Sequence, residues 1–352
     1  MKALASHPTA SMAEIAITLH YRPETVSTHI RSMKERGLYA GTMGLLCYLK
    51  LDMAYVPVLV RAPLGNLQAI YDACRAHPYI AYSVRTLGAN DGAFLVFTQP
   101  RKAMPLLLEF LDELAARGVI QDYRIYISDD TKRDFLKANL GLYSPPTGTW
   151  ECNWTKWESS EAETGTATNG AQSQSLLIEP ELQKMEKTDI DLLRIVSDDA
   201  KIPTEEISKQ TQLLPHIVRR RIQSLETTGF IIGYRAMISF SKFHLSSSTM
   251  FNCNAQPGDV ELCKRRLLEL PFPGTFIAVQ NGFICQATLP PEGLPPVHRF
   301  LAKHCNNVEV SWFDLPTSDV ALLNSKAYTG DDWRMDHDFL VEEPLRVLKG
   351  QT

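Results

Sequence analysis

The sequence predicts an α+β fold in which a short helical unit followed by a β-α-β-β-α-β unit occurs twice. Two observations carry this prediction: the ends of the chain align without a gap at one offset, and each copy passes from helical periodicity to short strand-like and helix-like segments. The chain has 352 residues, 44% of them hydrophobic, and a formal net charge of −4. At about 150 residues per domain, this length and composition indicate a globular protein with two or more domains.

Composition excludes several classes of protein. The most apolar stretch, residues 45–60, is interrupted by Lys50 and Asp52 and falls short of the roughly 18 apolar residues that a membrane span needs. The start, MKALASHPTA, has no cationic stretch before an apolar one, so we expect a cytoplasmic protein without a membrane partner. The seven cysteines are scattered without a Cys-x-x-Cys pair, so we expect reduced thiols, no metal site and no cofactor.

The repeat is clearest near the start of each copy, where 215 − 23 gives an offset of 192. The identical pairs are Glu14/Glu206, Ile15/Ile207, Pro23/Pro215, Val26/Val218, Ile30/Ile222, Gly37/Gly229 and Gly41/Gly233. Such a match over about forty residues indicates a duplication.

The first helix of the helical unit is predicted in the second copy, where Thr188 and Asp191 form a capping box. By the repeat offset, Met1 falls on Leu193, so the first copy enters this helix at its middle. We therefore hypothesise that the natural start codon lies upstream.

A second and a third helix follow. Ser11 and Glu14 predict a capping box for a helix that runs to about Leu19. Pro23 suits the first position of the third helix, and Gly37 ends it. Three short helices with a tight turn between the last two, followed by a glycine-flanked apolar segment, predict a winged helix-turn-helix in each copy.

The β-α-β-β-α-β unit follows in both copies. In the first copy the predicted segments are 54–60, 67–76, 79–86, 93–98, 104–116 and 119–127. In the second they are 249–253, 260–268, 275–279, 283–288, 297–304 and 308–313. Gly92 matches Gly282 at an offset of 190, so the turn of the second copy is shorter by two residues.

Each half ends in a tryptophan-bearing segment, at Trp150 to Trp154 and around Trp333, for which the sequence gives no physical account. Residues 158–175, rich in Ser, Thr, Glu and Gly, predict a flexible linker. The predicted divisions are helical units at 1–44 and 188–240, sheet units at 45–140 and 241–324, and connecting or terminal segments at 141–187 and 325–352.

This order of elements, with the Gly-x-x-Asp-Gly turn that begins at Gly88, resembles the leucine-responsive and asparagine regulator (Lrp/AsnC) family. The resemblance covers most of the chain outside the linker and the tryptophan-bearing segments. It implies that the helical unit binds double-stranded DNA. It also implies that the ferredoxin-like sheet unit dimerises and senses a small molecule, often an amino acid. In a tandem chain the two halves would form an intrachain pseudo-dimer, and the resemblance also favours a higher homo-oligomer.

DNA contact is predicted for the solvent face of the third helix, because an α-helix fits the major groove. Residues 219–221 form the most basic short run of the chain, although a solvated helix face would explain it too. The candidates are Arg22, Thr25, Ser27, Thr28, Arg31, Lys34, His216, Arg219, Arg220, Arg221 and Gln223. The two recognition helices differ in sequence, so the preferred site is not expected to be a perfect palindrome.

Ligand binding is predicted for the loop that contains Gly88, Asn90, Asp91 and Gly92. Its glycines permit close backbone approach, and its polar side chains could meet a polar ligand or a partner subunit. A simple strand-joining turn needs the same residue types. The shortened counterpart in the second copy suggests that any sensing is asymmetric.

Two alternatives stay open. The siroheme decarboxylases resemble this two-part architecture, but their His-Cys-Tyr-x-Arg-like motif does not occur here; His304-Cys305 is followed by two asparagines. We find no nucleotide-binding, esterase or zinc-protease motif, so no catalytic residue is assigned and the chain is not expected to be an enzyme. The other alternative is an assembly protein whose helical units no longer bind DNA, which the near-neutral charge would suit.

Overall fold

The computed structural model describes residues 1–159, 185–245, 247–321 and 323–350. Most of the predicted linker, from residue 160 to residue 175, lies outside them. The protein is α+β, as the sequence predicts, and the strand pairings of its large sheet are antiparallel. No helix in the described ranges is long and apolar enough to span a bilayer.

The first helical unit begins near the start of the chain. Its helices are α1 (Lys2–Ser6), α2 (Met12–Leu19) and α3 (Pro23–Glu35). The capping box is confirmed: the Glu14 backbone amide donates to Ser11 Oγ at 3.2 Å, and the Ser11 amide donates to Glu14 Oε2 at 2.7 Å. Pro23 is the first residue of α3, and Val26 and Ile30 form its buried face.

The second helical unit repeats this order. Its helices are α7 (Lys187–Asp198), α8 (Thr204–Thr211) and α9 (Pro215–Thr227). Helices α4 to α6, which are described below, lie between the two helical units in the chain. The capping box predicted at Thr188 is wrong. The N-cap of α7 is Glu186, so Thr188 lies inside the first turn, and its hydroxyl donates to Glu186 Oε2 at 3.3 Å. The Glu186 carboxylate also forms an ion pair with α9, as described below.

The strands that follow the two helical units do not form hairpin wings of their own. Instead β1 (Tyr39–Leu46) pairs antiparallel with β9 (Ile231–Ile238), one strand from each copy. Helix α7 packs closely on this ribbon, since a Cβ at Gly44 would lie 2.7 Å from the Val196 side chain. The Ala200 amide donates to the Thr42 carbonyl at 2.6 Å, so the second unit is hydrogen-bonded to the strand of the first.

Nine strands form the large sheet of the described chain, in the order β5-β2-β4-β3-β13-β10-β12-β11-β6. Those of the first half are β2 (Met53–Arg61), β3 (Ile80–Gly88), β4 (Gly92–Pro100), β5 (Asp122–Ile125) and β6 (Ser128–Leu136). Those of the second half are β10 (Ser247–Asn254), β11 (Gly274–Val279), β12 (Gly282–Leu289) and β13 (Asn307–Val320). The crossover helices are α4 (Leu67–Ala76), α5 (Met104–Ala116), α10 (Pro257–Leu268) and α11 (Leu294–His304).

The two halves join at both ends of their sheets. Strand β13 pairs with β3, and β6, which the sequence did not predict, pairs with β11 of the other half. Since β5 and β6 are the outermost strands and only two residues separate them in the chain, the two edges of the sheet come close together. Between the halves, Phe94 stacks on Phe313 with ring centroids 5.4 Å apart.

An ion pair also links the two halves. Arg124 Nη1 donates to Glu309 Oε2 at 2.7 Å, and the Asn252 amide donates to the same oxygen at 2.9 Å. Arg124 and Glu309 occupy equivalent positions in the two copies. Tyr123 pairs with Val60, and Val308 pairs with Cys253, the residue that matches Val60 in the second copy. A position that would face itself in a symmetric dimer therefore carries opposite charges in the two copies.

The tryptophan-bearing segments explain how the halves are held together. Trp150 Nε1 donates to the Phe243 carbonyl at 2.8 Å, and Trp333 Nε1 donates to the Leu51 carbonyl at 2.9 Å. The two acceptors are equivalent at the repeat offset, since 243 − 51 = 192, and each lies in the half opposite to its tryptophan. Each half therefore ends in a segment that packs onto the other half.

Short elements complete these two segments. In the first they are β7 (Tyr143–Ser144), β8 (Thr149–Trp150) and α6 (Trp154–Ser159), and in the second α12 (Glu343–Arg346). Helix α6 packs on α11, and α12 packs on α4. Trp333 and Leu340 belong to the core of the first half, and Trp150 and Trp157 to that of the second. The hydrophobic core of each half is thus completed by side chains from the other.

Candidate nucleic-acid interface

Helix α3 presents a polar face to solvent. Arg22, Thr28, Arg31 and Lys34 are exposed, and Thr25 and Ser27 are half-buried beside them. The Thr28 hydroxyl already donates to the Glu24 carbonyl at 2.9 Å within the helix. The cations of this face are therefore the groups best placed to meet phosphates.

Helix α9 presents the corresponding face of the second unit. Val218 and Leu225 are buried against the unit's core. His216, Arg219, Arg220 and Gln223 are exposed, as the sequence predicts. Two adjacent exposed arginines therefore give this face its positive charge.

Arg221 requires a correction, because its guanidinium faces α7 rather than solvent. Arg221 Nη1 lies 2.9 Å from Asp189 Oδ1, and Nη2 lies 2.6 Å from Glu186 Oε2. The hydrogen bond that Arg221 donates to the Asp189 carboxylate raises the pKa of Arg221. Arg221 follows Val218 by three residues, and this helical spacing places it on the inward side. Its charge joins α9 to α7 and is not available to DNA.

The two helical units are held against each other through the β1–β9 ribbon. Lys201 Nζ of the second unit donates to the Ala10 carbonyl of the first unit at 2.9 Å. This contact adds to the strand pairing, so the unit that carries α9 is attached to the unit that carries α3.

The loop predicted to bind a ligand is locked as a turn. Asn90 is 2% exposed, and its side-chain amide donates to the Val60 carbonyl at 3.0 Å and to Thr86 Oγ1 at 2.9 Å. A Cβ at Gly92 would lie 2.1 Å from the Val60 carbonyl oxygen, so glycine is required by close approach. These contacts favour the turn interpretation for Asn90 and Gly92 and leave Asp91 as the exposed polar side chain of the loop.

A cleft of about 850 Å³, which the sequence analysis did not predict, lies where α7 meets α4 and the C-terminal segment. Four basic side chains line it: Arg75, Lys187, Arg194 and Lys326. Arg75 pairs with Asp319 at 2.7 Å, and Lys187 Nζ donates to the Tyr328 carbonyl at 2.9 Å. Asp191 is an acidic residue of the same lining. The cleft is suited to an anionic molecule, and only the fold brings its cations together.

Among the described residues, no group of three or more His, Cys, Asp or Glu side chains is arranged to hold a metal ion.

Comparison by sequence identifies one regulator. No model of a known protein family matches the chain. The chain is 32% identical over 81 residues to the HTH-type transcriptional regulator LrpA of Pyrococcus horikoshii. The match covers 23% of this chain and 57% of LrpA, so the chain spans little more than half the length of this relative.

Comparison by structure extends over nearly the whole chain. The siroheme decarboxylase NirDL superposes with a TM-score of 0.57 at 8% identity, covering 96% of this chain and 93% of that one. Bacillus subtilis LrpC covers 36% of this chain, with a TM-score of 0.31 at 22% identity. The expectation that the chain is not an enzyme is contradicted, since over 96% of its length the chain is similar in fold to NirDL, which is an enzyme. The chain is similar in sequence to an Lrp regulator over a short segment and in fold to NirDL over almost all of its length.

Proposed function

We propose that the chain is a DNA-binding transcriptional regulator of the Lrp/AsnC type, with tandem helix-turn-helix and ferredoxin-like units. The observation that carries the proposal is the exposed pair Arg219 and Arg220 on the solvent face of α9. Support comes from the 32% identity to LrpA over 81 residues. In this proposal α3 and α9 are the recognition helices, and the nine-stranded sheet is the interface of an intrachain pseudo-dimer.

The proposal is tested by binding of the whole chain to duplex DNA across a salt series. Each phosphate contact contributes about 0.9 to the slope of log K against log salt. We expect the double variant Arg219→Ala, Arg220→Ala to bind more weakly and to lower the slope by about 1.8. The matched control is Arg101→Ala, Arg265→Ala, which removes two exposed arginines on the sheet units. Equal affinity and slope for both double variants would sink the proposal.

Sequence preference and effector binding belong to the same proposal. Because α3 carries Ser27 and Thr28 where α9 carries two arginines, the selected site should be asymmetric, and recovery of a perfect palindrome by in vitro selection would contradict this. An amino-acid effector would meet the loop at Asp91. Calorimetry of the whole chain with the twenty amino acids, repeated with Asp91→Ala, tests that part, and heat that is unchanged in the variant would exclude the loop.

A second candidate function is binding of a tetrapyrrole, and the fold match to NirDL over 96% of the chain favours it. The related structure of NirDL contains an iron-uroporphyrin III analogue, a polycarboxylate. The basic cleft of about 850 Å³ offers the charge that such a molecule requires. We expect the absorption spectrum of iron-uroporphyrin to shift on titration with the chain. Arg194→Ala, Lys326→Ala should weaken this shift, and Arg101→Ala, Arg265→Ala should leave it intact; no spectral change would reject the candidate.

A further inference from the structure

Three cysteine sulfurs converge in the second half of the protein. Cys253 lies in β10, Cys263 in α10 and Cys305 at the C-terminal end of α11. The Sγ atoms of Cys263 and Cys305 are 4.0 Å apart, and the Cys253 thiol also hydrogen-bonds to Cys305. Forty-two positions of chain separate Cys263 from Cys305, so the tertiary fold alone brings this pair together.

The first half of the protein has an aliphatic core where the second half has these thiols. Strand registers equate Cys253 with Val60, since each pairs with an equivalent residue on both neighbouring strands. The same spacing equates Cys263 with Ile70, and Cys305 with Ile120. All three aliphatic residues are buried core side chains. Packing is therefore satisfied by hydrocarbon at this place in the fold, and it does not require sulfur.

The three thiols differ in access and in protonation. Cys253 and Cys263 are fully buried, while Cys305 is half-buried. Hydrogen bonding with Cys253 and with Cys263 lowers the pKa of the Cys305 thiol. A cysteine that solvent can reach, with a lowered pKa and a second thiol 4.0 Å away, is the arrangement of a redox-active cysteine with its resolving partner.

We propose that Cys305 and Cys263 form a site of oxidative modification, in which a hydroperoxide converts Cys305 to a sulfenic acid and Cys263 resolves it to a disulfide. The Cys305 thiolate attacks the peroxide, a sulfur–oxygen bond forms, and the oxygen–oxygen bond breaks to release an alkoxide or hydroxide that takes a proton from water. The Cys263 sulfur then attacks the Cys305 sulfur and displaces water. Overall, two thiols are oxidised and the peroxide is reduced to an alcohol, or to water, plus one further water.

The geometry permits the second step with a small movement. A disulfide needs sulfur atoms about 2.05 Å apart, so the present separation of 4.0 Å must fall by about 2 Å. Cys305 lies directly after α11, in the two-residue connection that precedes β13. The bond would tie the end of α11 to the middle of α10.

The test treats the whole chain with hydrogen peroxide and follows it by intact mass and by peptide mapping. We expect the wild type to lose about 2 Da and to yield one peptide pair that joins Cys263 to Cys305. Cys305→Ser should not react. Cys263→Ile, which places the aliphatic residue of the first half at this position, should stop at a sulfenic acid that dimedone traps. Cys285→Ser is the control and should behave as the wild type, because burial raises the pKa of Cys285 to about 12.

Three results would overturn the proposal. The first is an unchanged mass in the wild type at a peroxide dose that oxidises free cysteine. The second is oxidation of Cys305→Ser at the wild-type rate, and the third is a bond mapped between Cys253 and Cys305. Circular dichroism of each variant shows whether it is folded. Cys305→Ala provides a second variant at the partly exposed position, so a folding failure of one variant does not leave the proposal untested.

Discussion

Replacing Trp333 by alanine should weaken the packing of the C-terminal segment on the first half and lower the stability of the protein. The Trp333 side chain is 5% exposed, and its ring centroid lies 5.1 Å from that of Tyr328 and 6.3 Å from that of Tyr79. Removing a buried aromatic side chain of this size costs about 3–5 kcal/mol. The upper end applies here, because the Leu51 carbonyl also loses the donor that satisfies it in the core.

Equilibrium unfolding in urea, monitored by far-ultraviolet circular dichroism, measures this cost as a drop in the midpoint. The control is Trp333→Phe, which keeps an aromatic ring and removes the indole donor. We expect it to lose about 1–3 kcal/mol, the cost of leaving a buried acceptor without its partner. Trp150→Ala, the equivalent change in the other segment, should lower the free energy of unfolding by a similar amount.

A free energy of unfolding of Trp333→Ala that differs from that of the wild type by less than about 1 kcal/mol would refute the reasoning. It would mean that the C-terminal segment does not complete the core of the first half. Equal losses for the alanine and phenylalanine variants would attribute the whole effect to the hydrogen bond and none to packing.

Four further predictions concern single contacts. Arg221→Ala should reduce stability by about 1–3 kcal/mol and leave the salt slope of DNA binding unchanged, and a lower slope would return this residue to the interface. Asn90→Ala should cost a similar amount in urea unfolding, since it leaves two acceptors unpaired; a neutral effect would show that the loop is not locked. Burial lowers the pKa of His77 to about 3, so its contribution is complete above pH 6.5 and is lost as the pH falls towards 3. We expect about 3 kcal/mol of stability lost between pH 7 and pH 4.5 in the wild type, and a flatter profile in His77→Phe would confirm the source. Arg124→Glu and Glu309→Arg should each destabilise the chain, and the double variant should recover part of the loss; strictly additive losses would mean that the two charges do not interact.

Local signals in the sequence predicted the elements well. The Ser11 and Glu14 capping box, the proline at the start of α3, and the segments of the sheet units follow from rules that act within a few residues. Helical spacing also predicted the exposed positions Arg219 and Arg220. The same spacing predicts the inward direction of Arg221, and counting three residues from Val218 would have excluded it from the interface.

Local sequence patterns could not predict the contacts between the two copies. Strand β6 lies in a polar stretch, and it forms a strand because β11 of the other half offers an edge. The sequence offered no explanation for Trp150 and Trp333, because the residues that accept their hydrogen bonds are far away in the chain. The acceptor of Trp150 is almost a hundred positions away, and that of Trp333 is nearly three hundred. The cations of the cleft and the three converging thiols share this origin, since no local pattern marks residues that only tertiary folding assembles.

The exchange of C-terminal segments has a consequence for synthesis on the ribosome. The first half is translated long before residues 321–348, yet Trp333, Leu340 and Leu345 from that stretch are part of its core. Until these residues emerge from the ribosome, the first half exposes an apolar surface. Chaperones bind surfaces of this kind. Residues 333–345 thus determine when the first half can finish folding.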